Sequence, residues 1–75
     1  MDYTKRIREL REDHEPKISQ KDIAMLLGTT QQYYSEYENG KRKLPIEHLI
    51  KLCSFYGVSA DYIIGLPKGL KHPEG

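Results

Sequence analysis

The run GTTQQYYSEYENGK, residues 28–41, concentrates side chains that make directional polar contacts. Gln31 and Gln32 each carry an amide donor and an amide oxygen acceptor. Ser35 and Glu36 follow four residues later, so on a helix they extend the same face. Tyr33 borders that face; Lys41 closes the run, and Arg42 and Lys43 come directly after it. A helix built only to pack carries leucines on one side and charges on the other. This one offers amides, hydroxyls and a carboxylate. Glutamine can pair with the edge of adenine, a carboxylate can accept from cytosine N4, and a tyrosine ring can touch a thymine methyl. Lysine and arginine after the helix suit phosphate oxygens. The plainer alternative is a solvated helix face followed by a solvated basic turn.

Other chemistry finds little support. There is no Ser-His-Asp or paired-carboxylate arrangement, and a chain of 75 residues has little room for a closed cleft, so no enzyme is expected. His14, His48 and His72 have no cysteine or carboxylate at convincing ligand spacing, so neither a metal nor a cofactor is expected. His48, beside Glu47, is expected to be exposed. Cys53 falls on an apolar stripe and is expected to be a buried, inert thiol.

Short helices must position these residues. The spacing predicts a first helix over 3–14, with Tyr3, Ile7 and Leu10 inward, ended by Glu15-Pro16. Ser19 is an N-cap for a second helix containing DIAMLLG, with Ile23, Ala24 and Leu27 inward and Gly28 closing it. Thr30 caps a third helix, Gln31 to Asn39, closed by Gly40; Tyr34 and Tyr37 are its anchors. Pro45 fits the first turn of a fourth. Ile46, Leu49, Ile50, Cys53 and Tyr56 form its apolar stripe, widened by Leu52 and Phe55, before Gly57. Ser59 caps a short fifth helix, ADYIIG. No strand pattern, repeat or low-complexity segment competes. The expectation is one all-α domain over residues 1–66 with a flexible C-terminal tail at 67–75.

Composition sets the class. Net charge is +1, which marks neither a basic tail nor an acidic solvating chain. The charges are nevertheless segregated: Glu9, Glu12, Asp13 and Glu15 near the start, Lys41 to Lys43 near the middle. A local field of this kind can steer a polyanion. A single cysteine excludes an internal disulfide and points to a reducing compartment. MDYTKRIREL lacks a signal-peptide core, and no run approaches a membrane span, so a soluble cytoplasmic protein is expected.

Two helices of about eight residues joined by a short glycine-containing turn, over about residues 20–39, make a helix-turn-helix. Ala24 supplies the small residue where the helices cross, and Gly28 the turn. At these residues the chain resembles the Cro/CI-type helix-turn-helix regulators, the XRE family. SQKDIAMLLGTTQQYYSEYENGKRKLP is similar to their signature throughout. LPIEHLIKLCSFYGV and SADYIIGL resemble their fourth and fifth helices. The resemblance spans residues 5 to 66, and GTTQQ…ENGK is especially similar to lambdoid phage repressors. Two departures stand out: EDHEPKI is about two residues longer than the usual link, and Thr29 replaces a residue that is usually apolar.

The resemblance implies a five-helix DNA-binding domain that regulates transcription, as a repressor, through a homodimer on a palindromic duplex operator. It implies base contacts from Gln31, Gln32, Tyr33, Ser35 and Glu36. It implies phosphate contacts from Gln20, Thr30, Asn39, Lys41, Arg42 and Lys43, and an internal ion pair between Arg11 and Glu38. Tyr62, Ile63, Ile64, Leu66 and Leu70 are candidates for a dimer surface; core packing is the competing role, and the one favoured for Tyr62 and Ile63. The alternative function is a protein-interaction module, an antitoxin or adaptor, using the same face.

Overall fold

The computed structural model of the chain describes residues 2–65; Leu66, Leu70, His72 and the tail at 67–75 lie outside the described residues. Five helices follow in order: α1 (Tyr3–Glu12), α2 (Gln20–Leu27), α3 (Gln31–Asn39), α4 (Ile46–Tyr56) and α5 (Ala60–Ile64). No strand occurs among the described residues. None of these helices is long and apolar enough to cross a membrane.

Local chemistry sets the boundaries. Ser19 Oγ accepts from the Asp22 N–H at 3.0 Å while Asp22 accepts from the Ser19 N–H at 3.2 Å, a reciprocal cap at the start of α2. Thr30 and Ser59 cap α3 and α5 through the N–H groups of Tyr33 and Tyr62. Pro45 is the N-cap of α4, one position before the expected first turn. α1 stops at Glu12, two residues short of the expected end. His14 lies beyond the helix, its ring stacked on Phe55 at 5.3 Å with Nδ1 2.9 Å from the Pro16 carbonyl oxygen.

The core comprises Ile7, Ile23, Ala24, Leu27, Tyr34, Tyr37, Leu52 and Ile63. α3 packs on α2 and α1, α4 on α2 and α5, and α5 returns to α1. Ala24, 2% exposed, lets α2 approach α3 closely. The Tyr34 and Tyr37 rings meet edge to face, centroids 6.2 Å apart.

α4 departs from the expected stripe. Leu52 is its buried centre, with Leu49, Cys53 and Tyr56 at the margin. Ile46 and Ile50 are 67% and 62% exposed. α4 packs mainly on α2 and α5, too few close neighbours to cover a wide stripe. Ile63 is fully buried, which removes it from any dimer surface. Tyr62 is half exposed, contrary to core packing, and takes the Arg6 guanidinium 4.7 Å above its ring.

Candidate nucleic-acid interface

Two opposite demands shape α3. Its inner positions, Tyr34, Tyr37 and Glu38, are buried. Its outer positions, Gln31, Gln32, Tyr33 and Asn39, are exposed, and Ser35 and Glu36 are half-buried. The spacing of three and four between inner residues leaves one continuous outer face.

Glu38 fixes the orientation of that face. Its carboxylate is 2% exposed and accepts from Arg11 Nε at 2.7 Å and Arg11 Nη2 at 3.0 Å. Gln20 Nε2 donates a third bond at 3.0 Å, and Arg8 donates to the Glu38 carbonyl at 3.2 Å. One carboxylate therefore joins α1, α2 and α3. Burial alone pushes the Glu38 carboxyl up, but the Arg11 bonds and charge, with Gln20 and the nearby Tyr34 hydroxyl, outweigh it and hold it below the usual range. Burial, then the Glu38 charge, pushes the Tyr34 hydroxyl far up. Cys53, expected to be buried, is half-buried, and that partial burial raises its thiol.

The turn after α3 is held from both sides. The Leu44 N–H donates to the Tyr3 hydroxyl at 3.2 Å. His48, expected to be exposed, is instead half-buried with Nδ1 3.2 Å from the Tyr37 hydroxyl. A buried tyrosine hydroxyl needs a polar partner, and the first turn of α4 supplies it.

The resulting surface is an open cleft along α3. Gln31, Gln32, Ser35 and Glu36 line it, joined by Gln20, Asn39 and Lys41 at its edges. Thr30 lies at the helix start, where its hydroxyl caps the Tyr33 N–H at 3.1 Å and its carbonyl accepts from Tyr34 at 3.0 Å. The amides of Gln31 and Gln32 precede these bonds and point out of the helix end, a favourable place for an anion. Lys41 and Lys43 are exposed beyond the other end.

Four expected site residues, Gln20, Tyr33, Glu36 and Arg42, have side-chain partners within the protein. Gln20 donates to Glu38 and so anchors α2 to α3 while also reaching the cleft. Glu36 Oε1 accepts from Arg42 Nε at 2.8 Å. The Arg42 guanidinium lies 4.0 Å over the Tyr33 ring. Sequence reasoning missed these contacts. The residues in them stand 18, 6 and 9 positions apart and become neighbours only once the turn geometry is known.

The match to known proteins covers the same elements. A family model described as helix-turn-helix matches residues 7–63. An uncharacterized HTH-type transcriptional regulator of Bacillus subtilis (strain 168), YobD, is 38% identical over 64 residues, covering 85% of this chain and 55% of its own. An SPbeta prophage-derived uncharacterized HTH-type transcriptional regulator of the same organism, YonR, is 41% identical over 46 residues, covering 61% of this chain and 43% of its own. The chain thus spans about half the length of the curated relatives it matches. No solved structure matches it. The five-helix fold, the buried anchors of α3 and a family match from α1 to α5 together establish that this chain belongs to the XRE-type helix-turn-helix proteins, a non-enzymatic family of DNA-binding regulators.

Proposed function

We propose that this protein reads a duplex operator by placing α3 in the major groove, and that it acts as a transcriptional repressor. The observation that carries this reading is the outer face of α3, where Gln31, Gln32, Ser35 and Glu36 line one open cleft with Lys41 at its end. Gln31 and Gln32 present paired donors and acceptors to base edges, Glu36 an acceptor, and Ser35 either. Tyr33, at the rim, touches a thymine methyl or the backbone. Thr30 and the first amides of α3 take one phosphate; Asn39, Lys41 and Lys43 take others across the groove, with Gln20 behind them. The family match and the likeness to regulators of a bacterium and its prophage support both the regulatory role and a cytoplasmic setting.

A single module of this kind covers only ~600–1,000 Å² on DNA, so high affinity calls for a homodimer on a palindrome with half-sites ~34 Å apart. A second reading, a protein-interaction module, draws on the exposure of Ile46 and Ile50 at 67% and 62%. Selection from random duplexes followed by titration at two salt concentrations separates the two. The DNA reading expects a palindromic consensus, steep salt dependence, and a loss of about 1–3 kcal/mol at one base pair in Gln32→Ala. Weak binding without a consensus at low salt refutes it.

A further inference from the structure

Arg42 has the composition of a phosphate anchor but not the placement. It sits beyond the end of α3, and its backbone N–H donates to the Glu36 carbonyl at 3.3 Å, beside the Lys41 N–H at 2.9 Å on the same oxygen. The turn is thereby wrapped around residue 36. From there the side chain folds back: Nε reaches Glu36 Oε1 at 2.8 Å and the guanidinium plane covers Tyr33 at 4.0 Å. Glu36 lines the cleft; Arg42 and Tyr33 do not. The arginine lies outside the lining of the cleft that its partner Glu36 enters.

This arrangement bears on a physical difficulty. A carboxylate carried into a groove bordered by phosphates is repelled, and a flexible one selects poorly among bases. Arg42 answers both points. Its charge offsets that of Glu36, and its bond to Oε1 leaves the second oxygen without a hydrogen bond among the described residues. A single oriented acceptor suits an exocyclic amino group, which in the major groove means cytosine N4 or adenine N6. Stacking on Tyr33 keeps the guanidinium in place at a surface where an isolated ion pair contributes little.

We propose that Arg42 is a specificity-determining residue that acts through Glu36: the Tyr33–Arg42–Glu36 assembly orients and neutralises the carboxylate so that it selects one base pair. This rests on the DNA reading above. The test is parallel selection from random duplexes with wild type, Glu36→Ala, Arg42→Ala and Arg42→Lys, followed by titration against the consensus, its single-base variants and an unrelated duplex, at two salt concentrations. Arg42 is exposed and outside every helix, so the variants stay folded, which circular dichroism checks.

The expected result is that Arg42→Ala loses preference, by about tenfold, at the same base pair as Glu36→Ala, and keeps it elsewhere. Arg42→Lys keeps the charge but lacks the planar fork, so it loses that preference while the salt slope stays as in wild type. The inference is overturned if Arg42→Ala keeps every base preference, weakens all duplexes equally and lowers the salt slope by about one, the signature of a phosphate contact. Absence of any wild-type consensus overturns the DNA reading and this inference with it; a wild-type consensus with unchanged preference in Arg42→Ala overturns this inference alone.

Discussion

Replacing Arg11 with alanine takes the cation away from a carboxylate that is 2% exposed. Two hydrogen bonds, at 2.7 and 3.0 Å, disappear, and Gln20 remains as the only side-chain hydrogen-bond donor to the Glu38 carboxylate among the described residues. Breaking a buried pair by deleting one partner costs about 3–5 kcal/mol. The Arg11 side chain is 16% exposed, so water enters the vacated space and the lower end, about 3 kcal/mol, is expected. A domain of this size holds only about 3–5 kcal/mol in all, so the variant stands at the edge of unfolding. In thermal terms the loss is about 12–24 °C, at ~4–8 °C per kcal/mol.

The dependence on pH gives a second, independent readout. In wild type the Glu38 carboxyl lies below its unfolded value. Its stabilisation is complete above the unfolded carboxyl range and is lost as pH falls through the lower, folded value. In Arg11→Ala burial acts without its main counterweight, and the folded carboxyl rises above the unfolded one. That group then destabilises the fold at neutral pH; the penalty shrinks as pH falls through the raised folded value and is gone only below the unfolded one. The gap between wild type and variant must therefore narrow from pH 7 toward pH 4. Urea unfolding followed by far-ultraviolet circular dichroism at pH 7, 5.5 and 4 measures it. A gap under ~1 kcal/mol at pH 7, or one that does not change with pH, refutes the assignment of Glu38 as a buried charge held by Arg11.

Three further outcomes follow from the structure. Lys41→Ala weakens binding to every duplex alike and lowers the slope of log affinity against log salt by about one, read by anisotropy titration. The Tyr56 hydroxyl is buried without a partner among the described residues, and burial pushes it up to about 12, so Tyr56→Phe is expected to be neutral or to stabilise by up to ~1 kcal/mol in urea unfolding. Gly28 closes α2 at φ +74° with nothing within 4 Å of an added Cβ, so Gly28→Ala pays for backbone strain alone and should lose ~1–2 kcal/mol in thermal melts, without overpacking.

The helix boundaries were legible because they depend on local chemistry. Ser19, Thr30 and Ser59 cap as their types predict, and Gly28, Gly40, Gly57 and Gly65 all take the left-handed conformation. Tyr34 and Tyr37 declared themselves as anchors by their spacing of three. The face of α4 was less legible. Its apolar residues are numerous enough to fit several rotations, and the choice depends on which neighbours arrive. Apart from the Arg11–Glu38 pair, which the family resemblance implied, the register between elements was hidden. Nothing in the sequence places Gln20 against Glu38, Arg42 across Glu36, or His48 beside Tyr37, because each contact needs two elements already docked. The long link before α2 gave no warning that His14 stacks on Phe55 across the fold.

The two-sided character of α3 has a consequence for transplanting recognition between proteins of this kind. Residues 31, 32 and 35 make no side-chain hydrogen bond to the rest of the described chain, so they form a cassette that can be exchanged without disturbing the scaffold. Position 36 does not belong to that cassette. Its partner lies outside the helix, at 42, with a second support at 33. A graft that carries only the helix would separate Glu36 from Arg42 and deliver an unpaired acid to the groove, whereas a graft from 31 through 42 would carry the whole reading unit.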